Sequence, residues 1–129
     1  MRDLMVKVGD GDLAVTLRVA DTEGQGLSAF LYGGTLPHVG GSALASPGAC
    51  VRGVALSSCD LWVQTVPGHK DSEVAKSCAR KLCLASGQPV CVCAGVHVEN
   101  ATVEQVRALT SNCEAATDKM VALLMAGER

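Results

Sequence analysis

The chain has 129 residues, of which 48% are hydrophobic but only 2% aromatic, and its formal net charge is -2. One domain of this length buries roughly two-thirds of its unfolded surface. With so few rings the core must come from Val, Leu, Ala and Cys, and a homo-oligomer interface would add useful buried area. The charge balance excludes the electrostatic footprint of a nucleic-acid binder. No apolar run reaches membrane-spanning length and the first five residues carry no signal-peptide apolar region, so a cytoplasmic protein is expected.

In chain order, residues 5–8 predict a short strand, closed by the turn residues Gly9-Asp10-Gly11-Asp12. Residues 13–20 give the clearest strand: Leu13, Val15, Leu17 and Val19 alternate with Ala14, Thr16, Arg18 and Ala20, a period-two pattern with one buried face. A turn over 21–26 leads into a strand over 27–32, which makes a meander of hairpins. Weaker strands are predicted over 42–46 and 51–57, separated by Pro47-Gly48, and a further one over 60–66 carries Trp62.

Asp71 or Ser72 suits a helix N-cap. Val74, Ala75, Cys78, Leu82 and Cys83 then form an apolar stripe at helical spacing, ended by Gly87 and Pro89. Residues 90–94 are apolar on both faces and predict a central strand covered on both sides. Thr102-Val103-Glu104-Gln105 reads as a capping box. The helix after it carries Val106, Leu109, Cys113, Ala116, Met120 and Leu123 as a core-facing stripe. The expected fold is therefore α+β: a mixed, mainly antiparallel sheet, a strand meander followed by a βαβ unit, with two helices on one face of a single domain.

The seven cysteines form no Cys-x-x-Cys pair. They read as reduced small hydrophobes; a thiol or metal site is the competing reading.

Each of the three histidines sits in a turn rich in backbone breakers: Gly33-Gly34-Thr35-Leu36-Pro37-His38-Val39-Gly40, Pro67-Gly68-His69-Lys70-Asp71 and Gly95-Val96-His97-Val98-Glu99-Asn100. The strand over 60–66, the helix after it and the strand over 90–94 have βαβ length, so the two strands should run parallel. His69 and His97 then follow strand ends on one edge of the sheet, where open α/β sheets place ligands. Whether His38 joins them depends on the direction of the strand over 27–32. Two helices begin at this edge and Lys70 adds a cation, a setting suited to phosphate. Neutral imidazoles bind divalent metals, so His38, His69 and His97 are candidate ligands. Against this, the glycines and Pro37 are accounted for by tight turns alone, and Asp71 by a helix cap. Neither a Walker loop, a Gly-x-Gly-x-x-Gly fingerprint nor a standard zinc motif is present.

The segments GGTLPHVG, PGHKD and GVHVENAT, in this order, resemble the LpdD-like family, named for a component of gallate decarboxylase and described as prenylated-flavin chaperones. The resemblance spans residues 27–124. It implies a protein in a non-catalytic or weakly catalytic role that binds prenylated FMN, or FMN, and delivers or matures it for a UbiD-type decarboxylase of aromatic acids, with no catalytic residue assigned. Carried over, His38, His69 and His97 would line the site. Gly33, Gly34 and Gly40 would allow close backbone approach, and Lys70 with the helix starts would take the phosphate. Pro37, Asn100 and Thr102 complete the cofactor-binding set. Phe30, Tyr32 and Trp62 are the only rings able to stack on a flavin. Two other readings stay open: a small metal-dependent enzyme using the three histidines on a phosphorylated or carboxylated substrate, and a structural component of a decarboxylase complex.

Overall fold

The computed structural model describes residues 1–48, 50–51, 54–55 and 58–126. The expected α+β architecture is found. Strands β1 (Arg2–Val8), β2 (Val15–Asp21), β3 (Leu27–Gly34), β4 (Gly41–Pro47), β5 (Cys50–Val51), β6 (Val54–Ala55), β7 (Cys59–Thr65) and β8 (Val90–His97) accompany helices α1 (Ser72–Ser86) and α2 (Val103–Ala126). A 3-10 turn, Gly11–Leu13, delays the start of β2. Residues 52, 53, 56 and 57 of the strand predicted over 51–57 lie outside the described residues. Within that stretch β5 pairs with β6.

The main sheet has the order β1-β2-β3-β8-β4-β7. Its one parallel pair is β3 with β8, in the register Leu27↔Val90 to Gly34↔His97. Both contacts of β4, with β7 and with β8, are antiparallel. β7 and β8 therefore run in the same direction, as the βαβ unit requires, but they are not neighbours: β4 lies between them. Consequently β3, β7 and β8 all end at one edge of the sheet.

Alternation along each strand sends one set of side chains under the helices. Val15, Leu17, Leu31, Val90 and Val92 are fully buried there, together with Leu82 of α1 and Met120 of α2. Each such Leu or Val contributes about 1.5–3 kcal/mol of transfer free energy. α1 covers β4, β7 and β8, while α2 covers β1 and β2. The α1 stripe is built from small residues, Ala75, Cys78, Ala79 and Cys83, which lets the helix sit close to the sheet. On α2 the buried residues are Leu109, Cys113, Ala116, Thr117, Met120 and Leu124. Val106 and Leu123, predicted on this stripe, are exposed. Burial pushes the Cys78 thiol up to about 11 and that of Cys113 up to about 12, so both behave as inert hydrophobes.

Among the described residues no helix covers the opposite sheet face. The doubly covered strand expected over 90–94 is not found: Cys91 is exposed and Cys93 half-buried, because both helices lie on the other side. Small apolar side chains tolerate this exposure, so apolarity on both faces of a strand did not require cover. Phe30, Tyr32 and Trp62, the only aromatic residues of the chain, all belong to this open face. Phe30 stacks on Tyr32 with ring centroids 4.6 Å apart.

Candidate functional site

At the edge where β3, β7 and β8 end, His38 and His69 sit in the loops after β3 and β7, and His97 is the last residue of β8 itself. The loop after β3 is laid across the end of β8: the Thr35 and Leu36 amides donate to the His97 carbonyl at 2.8 and 3.3 Å, and the Gly40 amide donates to Ala94 at 2.8 Å. Glycine makes this approach possible. A Cβ on Gly95 would overlap the His38 carbonyl, one on Gly34 the His97 carbonyl, and one on Gly40 the Asp71 carboxylate. The glycines thus admit other parts of the same chain. None of Gly33, Gly34 and Gly40 lines the adjoining cavity.

The parallel pairing of β3 and β8 brings His38 to the same edge as His69 and His97. His38 is the most sheltered of the three. Its Nδ1 lies 2.9 Å from the Leu36 carbonyl. A carbonyl can only accept, so Nδ1 carries the hydrogen and, in the neutral ring, Nε2 presents its lone pair. That atom stands 3.0 Å from Asp71 Oδ2 and 3.1 Å from His69 Nδ1. Asp71 Oδ2 is also 3.6 Å from His69 Nδ1. His97 lies apart, its ring centroid 6.4 Å from that of His38 and its Nε2 3.2 Å from Glu99 Oε2. The cluster is therefore His38, His69 and Asp71, and not the three histidines together.

Asp71 is a residue that sequence reasoning explains as a helix cap. It occupies the N-cap position of α1, but its side chain makes no capping bond. It is 8% exposed, and its Oδ1 accepts from the Val96 amide at 2.9 Å. A buried carboxylate needs such partners. Its place two residues after His69 in the His-Lys-Asp run was the available signal. Ser72 packs against Gly41, so Asp71 and Ser72 are buried at the start of α1, and Asp71 borders the cavity. At the start of α2 the capping box forms as predicted: the Thr102 amide donates to Gln105 Oε1 at 2.8 Å, and the Gln105 amide to Thr102 Oγ1 at 3.1 Å.

Beside this cluster lies a cavity of about 430 Å³ between the start of α1, the end of β8 and the first turns of α2. His38, His69, Lys70, Asp71, His97 and Asn100 give it a polar wall, and Val74, Val96, Val98, Val106 and Leu109 an apolar one. Pro37 and Thr102 are not part of the lining. None of Phe30, Tyr32 and Trp62 lines it. The rings expected to stack on a flavin belong to the open sheet face, where a separate hollow of about 740 Å³ is lined by Met5, Arg18, Phe30, Val39 and Cys93.

A half-covered mixed sheet with an imidazole–carboxylate cluster beside an amphipathic cavity characterises this α+β fold. The chain belongs to the prenylated flavin chaperone LpdD-like family, whose model matches residues 9–125. The match therefore takes in β2 as well as the three histidine segments. No curated protein matches the sequence. The fold is shared with a chain from the crystal structure of a novel chaperone complex for yeast 20S proteasome assembly. That likeness has a TM-score of 0.60, covers 97% of this chain and 95% of that one, and carries 13% sequence identity; it is a likeness of fold. No helix among the described residues is long and apolar enough to cross a membrane.

Proposed function

We propose that the protein holds prenylated FMN in the cavity at the histidine edge and, in the cytoplasm, hands it to or matures it for a UbiD-type decarboxylase of aromatic acids. The reading rests on one observation: in a chain of this family, a cavity within the usual 300–1,000 Å³ ligand range has imidazoles and Lys70 on one wall and aliphatic side chains on the other. A flavin mononucleotide offers the matching pair, a phosphate and a flat, largely apolar ring system. Lys70 would draw the phosphate, and Val74, Val98, Val106 and Leu109 would bury the ring edge and prenyl carbons. His97 and Asn100, at the mouth, would bond polar ring atoms. A walled but partly open cavity suits a carrier, which must release what it binds. The same reading includes a homo-oligomer formed through the open sheet face.

The test is retention of ligand. Purified protein is mixed with FMN or prenylated FMN, desalted and read by absorbance. Wild type should retain prenylated FMN selectively, and Lys70→Ala and His97→Ala should lower retention about tenfold or more, the scale of losing one charge-assisted hydrogen bond. Equal retention by wild type and both variants would remove the cavity from consideration, and no retention by wild type would favour a purely structural role in a decarboxylase complex.

A further inference from the structure

We propose that His38, His69 and Asp71 form a binding site for a divalent transition-metal ion, independent of whether a flavin binds beside it. Three potential ligand atoms, His38 Nε2, His69 Nδ1 and Asp71 Oδ2, lie 3.0, 3.1 and 3.6 Å from one another. Metal–nitrogen and metal–oxygen bonds of about 2.1 Å place adjacent ligand atoms about 3.0 Å apart in an octahedron and about 3.4 Å apart in a tetrahedron. Two edges of the observed triangle match the octahedral spacing, and the third is slightly longer than the tetrahedral one.

The surrounding bonds point the same way. The Leu36 carbonyl takes the Nδ1 hydrogen of His38 and so turns the lone pair of Nε2 inward. The Val96 amide holds Oδ1 of Asp71 and leaves Oδ2 aimed at the imidazoles. Metal-binding histidines and carboxylates are oriented in this way by a second layer of hydrogen bonds. With His38 neutral, the Nε2 lone pair faces both the carboxylate oxygen and a second imidazole nitrogen, so three potential acceptor atoms converge. A divalent ion satisfies all three. Gly40 admits the carboxylate and Gly95 the His38 backbone, so the glycines of the first and third histidine turns serve this triangle directly.

Two imidazoles and one carboxylate leave coordination positions open. All three residues border the cavity, with Lys70 beside them. An ion there would accept a phosphate or carboxylate oxygen of whatever the cavity holds. His97 is outside the set, so this assignment differs from one based on the three histidines.

The experiment uses the full chain, stripped with EDTA and free of flavin, titrated with CoCl2 and then with ZnCl2. One equivalent of Co(II) should bind, with visible ligand-field bands distinct from those of the aqueous ion, and Zn(II) should displace it. Affinity should fall by about 100-fold or more in His38→Ala, His69→Ala and Asp71→Asn, and stay within about threefold of wild type in His97→Ala. Asp71→Asn keeps an acceptor for the Val96 amide, and His69 is 40% exposed, so these variants should retain the wild-type circular dichroism spectrum. Failure of wild type to bind one equivalent would overturn the proposal. So would a loss in His97→Ala as large as that in His69→Ala. Because no flavin is present, neither result bears on flavin retention.

Discussion

At the scale of single residues, the site depends on side chains that are missing. Gly95 lies in β8 with the His38 backbone against it, where a methyl group cannot fit. Gly95→Ala should push the loop over 35–40 off the sheet and carry His38 with it. The expected cost is about 1–3 kcal/mol, the range of overpacking, read as a lower urea midpoint together with lost Co(II) binding. Gly68→Ala is the matched control. Its φ is +84° but its Cβ position is open, so only backbone strain of about 1 kcal/mol applies and the ligand atoms of His38 and Asp71 stay in place. The three histidine turns were legible in the sequence because glycine, proline and histidine are locally conspicuous. Asp71 was not, because an aspartate before a helix already has a common explanation as a cap, and only the fold brings the His38 loop and the Val96 amide to it.

At the scale of elements, what was legible follows from local periodicity. Alternation in β2 needed only one buried face, and the Thr102–Gln105 capping box needed only its own four residues. The edge hairpin shows where charge enters. Asp21 is buried at the end of β2, 2.6 Å from Arg2 Nη2 and 2.7 Å from the Glu23 amide. Burial pushes its carboxyl up, but the Arg2 and Glu23 hydrogen bonds outweigh it and hold the carboxyl below its usual range. A carboxyl with a depressed folded pKa adds stability that is complete above its unfolded value of about 3.9 and disappears as pH falls through the lower folded value. Asp21→Asn should therefore lower stability at neutral pH by about 2 kcal/mol and flatten the loss of stability on acidification. Urea midpoints measured from about pH 7 down to about pH 2 would check both; a parallel acid limb in the variant would show that the pair contributes nothing.

At the scale of the whole molecule, the sheet has one finished face and one unfinished one. Six strands spaced about 4.8 Å apart and about seven residues long span roughly 600 Å² of sheet per copy. Two such faces together reach the lower end, about 1,200 Å², of stable interfaces. Met5, Leu44 and Trp62 are exposed there, and tryptophan is a frequent anchor of such contacts. Light scattering during gel filtration should give a multiple of 13.2 kDa for the wild type and a monomer for Trp62→Asp with Leu44→Asp. A wild-type monomer would leave the open face to another partner. Strand order is the part of the fold that sequence periodicity did not contain, since pairing between β4 and β8 depends on residues far apart in the chain. That order also has a temporal consequence. Among the described strands β8 is the last to be synthesised, yet it sits between β3 and β4, so the β1–β3 meander and the β4–β7 pair each expose an unpaired edge until residue 97 has been made. Unpaired edges of this kind are open to mispairing, and His97 can reach the other two histidines only when β8 takes its place in the sheet.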